Sequence, residues 1–93
     1  MDTSDWYVST VRGKPVTFDP HALDGQTQEA RRNPVSEAHI LRTLEAPDAV
    51  EPKKRGFEAR KRLGKRTVIV RYAEYEDEIY VYGISATRRR LAT

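Results

Sequence analysis

The sequence predicts an α+β fold, with two N-terminal helices packed on a three- to four-stranded antiparallel sheet. Two observations carry this expectation. In the first half, apolar residues recur at helical spacing between proline and aspartate punctuation. After Val50 the pattern changes to the two-residue alternation of strands. A chain of 93 residues makes one small domain with a single modest core. Within it, residues 1–15 are expected to form a strand or an ordered arm and 16–47 a helical part. Residues 53–90 are expected to form the sheet and a basic end.

Each element has a local reason. In "MDTSDWYVSTVRGKP", "WYVSTV" has strand composition and "RGKP" reads as a turn. Asp19 suits a helix N-cap because its carboxylate can accept free first-turn N–H groups, and Pro20 fits the first helical position, where no N–H is needed. Leu23, Thr27 and Ala30 then share one face, with His21, Gln28 and Arg32 on the other, while Gly25 weakens the helix by about 1 kcal/mol. The second helix lies in "NPVSEAHILRTLEAPD". Asn33–Pro34 or Ser36 caps it, Pro47 stops it, and Ile40, Leu41 and Leu44 form its buried stripe, with His39 and Arg42 pointing away.

The strands follow. "FEARKRL" sets Phe57, Ala59, Lys61 and Leu63 against Glu58, Arg60 and Arg62. "LGKR" is a hairpin turn with a permissive Gly64, "TVIVRYA" is the strongest strand, "EYED" is the next turn and "EIYVYGIS" the last strand.

Composition narrows the chemistry. Without cysteine there is no disulfide framework and no thiolate metal site. No run has the length of a membrane span and the chain does not open like a signal peptide, so a soluble, cytoplasmic protein is expected. The net charge of +3 conceals a split. Residues 1–52 carry five Lys/Arg against nine Asp/Glu, or −4, whereas residues 53–93 carry twelve against five, or +7. A basic C-terminal half points to a polyanion. There is no glycine-rich phosphate loop, and two histidines without cysteines make a poor zinc site. The run Glu74, Glu76, Asp77, Glu78 reads as a solvated acidic turn, so no metal is expected.

The remaining candidates are basic and aromatic. Arg71 lies in an otherwise apolar strand, so it must face an open sheet surface or be paired, with a cross-strand glutamate as the alternative to a ligand. An open face carrying Arg71, Arg60, Arg62 and Tyr82 would suit RNA, because guanidinium groups grip phosphate and tyrosine rings stack on bases. His21 has a side chain whose ordinary pKa suits general acid or base work. Arg88, Arg89 and Arg90 close the chain just past the last strand; Arg88 and Arg89 are the expected phosphate contacts and Arg90 is expected to be solvated.

Across residues 16–90, "FDP", "RRNPVSEA", "LEAPD", "VIVRYAE" and "ISATRRR" together resemble BrnT-type toxins of the RelE/ParE-like superfamily. The resemblance implies a metal-independent endoribonuclease that needs no cofactor and is paired with an antitoxin protein. Its substrate would be free or ribosome-associated RNA. It further implies that Arg31 and Arg32 match a basic pair, Arg71 a position of the central strand, and Arg88 and Arg89 a closing cluster. His21, Arg71 and Arg88 are then the expected catalytic residues, and Arg31, Arg32, Arg60, Arg62, Tyr82 and Arg89 the expected RNA contacts. One position departs: BrnT-like chains have "KHGVS" where this chain has "RRNPVS". Either His21 takes the missing histidine's role, or Arg31 and Arg32 serve electrostatically, or the chain binds RNA or a protein without cutting. Inhibition of a DNA-processing enzyme is a third expectation of the superfamily.

Overall fold

The strand expected within residues 1–15 is present at residues 10–11, and a second one, not expected, follows at residues 14–18. The computed structural model describes residues 10–20, 22 and 35–88. Thr10–Val11 (β1) and Lys14–Phe18 (β2) form a hairpin, with Val11 opposite Lys14. Both turn residues, Arg12 (φ 53°) and Gly13 (φ 77°), have positive φ, the geometry that matches the twist of a two-residue hairpin. A non-glycine residue in that region costs about 1 kcal/mol or more, and the Arg12 side chain offsets it. Its Nε and Nη2 donate to the Glu74 carboxylate (3.2 and 2.5 Å), and its Nη1 donates to the Leu44 carbonyl (2.7 Å). Lys14 Nζ adds a third contact to Glu74 at 2.9 Å. These donors, Arg12 first, hold the Glu74 carboxyl well below the usual range, at about 2.

From the hairpin, β2 runs parallel to Ile79–Thr87 (β6), pairing Val16, Thr17 and Phe18 with Ile79, Tyr80 and Val81. The Asp19 N–H continues this ladder to the Val81 carbonyl at 2.8 Å, and the Asp19 carbonyl accepts the Ala22 N–H at 2.9 Å. Pro20 and Ala22 are helical, whereas most of the helix expected from Asp19 lies outside the described residues. The second predicted helix is Glu37–Glu45 (α1). Ser36 is its N-cap, accepting the His39 N–H at 3.1 Å, and the chain leaves it at Ala46, before Pro47. Ile40, Thr43 and Leu44 are buried, whereas Leu41 is only half-buried.

Four strands follow as a meander: Ala49–Lys53 (β3), Gly56–Leu63 (β4), Arg66–Glu74 (β5) and β6, each antiparallel to the next. β3 is an exposed edge, where Pro52 is tolerated because no further strand needs its missing N–H. The sheet order is β1-β2-β6-β5-β4-β3, and the sheet curls like half a barrel. Helix α1 packs across β4 and β5 and reaches β1. Beneath it, Ala59, Val68, Val70, Ile84 and Ala86 lie in register and are buried. At the far end of β4, Phe57 and Val50 stay substantially exposed.

This architecture corrects the expected one. The described residues are 58% strand, in a six-stranded mixed sheet, and not two helices on three or four antiparallel strands. The first predicted helix lies mostly outside the described residues. Two strands escaped the sequence reading for a physical reason. β2 is short and becomes a strand by pairing with an apolar strand more than sixty residues away, which no local periodicity reports. β3 is polar, fully exposed and interrupted by Pro52, and its partner β4 imposes its conformation.

Two stability predictions follow. Gly56 has φ 148°, and a Cβ there would lie 2.3 Å from the Tyr72 carbonyl oxygen, so Gly56→Ala should cost about 2 kcal/mol or more in chemical denaturation. Because the folded-state pKa of Glu74 is depressed, its contribution is present above the unfolded-state pKa and is lost as pH falls through about 2. Acid denaturation of Glu74→Gln should therefore lack the part of the wild-type stability loss that begins near the ordinary pKa of 4.5.

Candidate nucleic-acid interface

Strand alternation decides which side chains share the face opposite α1. Because Ala59 pairs with Val70 beneath the helix, Glu58, Arg60 and Arg62 of β4 must point the other way, as must Thr67, Ile69 and Arg71 of β5. The pairing Glu51, Glu58, Arg71, Gly83 runs as one row across β3, β4, β5 and β6. A register shift follows it: Arg71 opposes Gly83 but Tyr72 opposes Val81, so Tyr82 is the extra residue of a bulge.

The centre of the row is a buried carboxylate. Glu58 is 3% exposed, and its Oε1 accepts from Arg71 Nε at 3.0 Å while its Oε2 accepts from Arg60 Nη2. Lys53 Nζ lies 3.9 Å from the same Oε2, and Glu51 lies 3.2 Å from Arg60. A carboxylate removed from water needs such partners, since burying it alone costs far more than a hydrogen bond recovers. Three cations against two carboxylates leave the cluster with one excess positive charge.

Arg71 is both paired and open, so the two alternatives read from the sequence hold together. Only its Nε meets Glu58, its side chain is 52% exposed, and its terminal nitrogens have no hydrogen-bond partner among the described residues. On one side of this row Arg62 Nη1 reaches Thr67 Oγ1 and the Arg88 carbonyl, each at 3.4 Å. On the other side the Arg55 guanidinium lies 4.8 Å from the centre of the Tyr82 ring. Tyr80 beside it donates to Asp19 Oδ2 at 2.5 Å, and that bond chiefly raises the Tyr80 pKa.

Of the expected site residues, the structure therefore gathers Arg60, Arg62, Arg71 and Tyr82 onto one sheet face, with Arg88 at its end. His21, Arg31, Arg32 and Arg89, together with Arg90, lie outside the described residues. His39 is on the opposite side, 3.5 Å from Arg66. The sequence reading missed Glu58, Lys53 and Arg55 as members of the face. Glu58 carried a signal, since it shares its alternation with Arg60 and Arg62, but its partners come from the two strands on either side of β4. In the acidic turn Glu74 is held by Arg12 and Lys14, and no group of three or more His, Cys, Asp or Glu side chains is gathered among the described residues.

The burial difference between the two partners makes a stability prediction. Glu58→Ala strips Arg71 of its carboxylate partner and leaves Arg60 with Glu51 alone, and should cost about 2–3 kcal/mol, read from urea unfolding. Arg71→Ala should cost about 1 kcal/mol or less, because Arg71 is half in water and Glu58 keeps Arg60.

Compared with family models, curated proteins and solved structures, the chain has no match.

Proposed function

We propose that this chain binds RNA across the face opposite α1 and cleaves it as a metal-independent, toxin-like endoribonuclease. The observation that carries the binding is the convergence of Arg60, Arg62 and Arg71 with Lys53, Arg55 and Tyr82 on one surface. Cations at this density attract a phosphate backbone, and the two tyrosines and Arg55 offer planar groups on which an unpaired base stacks. Cleavage rests on the BrnT-type resemblance. In that chemistry the RNA 2′-hydroxyl loses its proton and attacks the adjacent phosphorus. The P–O5′ bond breaks, leaving a 2′,3′-cyclic phosphate and a protonated 5′ oxygen. Arg71 and Arg88 stabilise the negative charge that builds on the phosphoryl oxygens, and His21 moves the proton. The partner implied is an antitoxin protein, and the location implied is the cytoplasm, where RNA substrate is found. Among the described residues, no helix is long and apolar enough to cross a membrane.

Binding without cleavage is the second reading, and one observation favours it. Among the described residues the one histidine is His39, across the sheet from Arg71. One experiment separates the two. Purified protein is incubated with a single-stranded RNA in EDTA, beside DNA of the same sequence. The nuclease reading expects cyclic-phosphate ends on the RNA, intact DNA, and loss of cutting in Arg71→Ala with folding retained. Uncut RNA that is bound with a steep salt dependence selects the binding module. Each of Arg60→Ala and Arg62→Ala should then lower the salt slope by about 1. No binding by wild type removes both readings.

A further inference from the structure

We infer that Glu58 and Gly83 are positioning residues that hold Arg71 as a ready-made phosphate fork; this rests on the reading that the face binds RNA. A free arginine on a sheet surface samples many rotamers, and a ligand that immobilises it must offset that lost freedom. Arg71 has lost it already. Glu58 takes its Nε at 3.0 Å, which restrains the guanidinium of this half-exposed side chain and leaves both terminal nitrogens without a hydrogen-bond partner among the described residues. Gly83, directly opposite on β6, is the floor beneath the side chain's stem: a Cβ there would lie 3.3 Å from Arg71 Cβ and 3.4 Å from its Cδ. Glycine here serves close approach, for its φ is one any residue adopts. The bulge at Tyr82 sets this register, placing Gly83 rather than a tyrosine under Arg71.

The inference makes a prediction opposite in sign to simple electrostatics. Glu58→Gln deletes a negative charge from the binding face, so charge counting expects RNA to bind more tightly. Positioning expects weaker binding, by about three- to tenfold, because the fork must be ordered on contact. Gly83→Ala changes no charge and should weaken binding by a similar factor. The probe is a labelled single-stranded 2′-O-methyl RNA, which cannot be cut by 2′-hydroxyl attack, and the readout is the dissociation constant at low salt. The same two substitutions are repeated in an Arg71→Ala background, where neither should weaken binding further. Circular dichroism establishes folding, and Gly83→Ala, which leaves the ion cluster intact, decides the matter if Glu58→Gln does not fold.

Tighter binding by Glu58→Gln, or a loss from Gly83→Ala that is as large without Arg71 as with it, overturns the inference. If those results appear while Arg71→Ala still weakens binding, the RNA-binding face stands and only the positioning role falls. If Arg71→Ala itself leaves binding unchanged, the reading of the face falls and takes this inference with it.

Discussion

The parallel pairing of β2 with β6 is the constraint on which the rest of the sheet depends. It joins residues 16–18 to residues 79–81, so the last strand is held between the first part of the chain and β5. The chain between them must therefore travel to the far edge and return as a meander, which makes β3 the exposed edge and β5 a central strand. Within this order Val70 and Ile84 stack under α1 while Arg71 and Gly83 meet on the other face. The Glu74 contacts with Arg12 and Lys14 hold the β1–β2 hairpin against the same assembly.

The two faces solve different physical problems. Beneath α1 the sheet buries aliphatic side chains, and the hydrophobic effect drives their association. The opposite face carries so many arginines that mutual repulsion would oppose folding if nothing neutralised them. Glu58 does this at the centre and Glu51 at the edge. The neutralisation is incomplete, and the surplus positive charge faces solvent where a polyanion can reach it. The same carboxylate thus steadies the strand pairing and organises the cations that surround it.

Much of this was legible before the strands were assembled. The alternation in "FEARKRL" put Arg60 and Arg62 on one side, and the alternation in "TVIVRYA" put Arg71 on the surface opposite Val70. Ser36 and Pro47 bounded α1 as their capping and helix-breaking chemistry requires. The turn in "RGKP" was legible, but not its geometry, because a non-glycine residue such as Arg12 with positive φ needs a tertiary contact to hold it there. The predicted number of strands and the all-antiparallel sheet were wrong because both turn on partners far away in sequence.

Local pattern alone determined where the strong elements lie, which side chains alternate together, and that the C-terminal half is basic. Those properties depend on neighbours within a few residues: helix capping, two-residue alternation and formal charge. Tertiary structure decided the sheet order, the parallel closure by β2, the burial of Glu58 and the seating of Arg71 over Gly83. Each of these requires two or more segments distant in sequence to meet, and the free energy of such a meeting is a property of the assembled sheet.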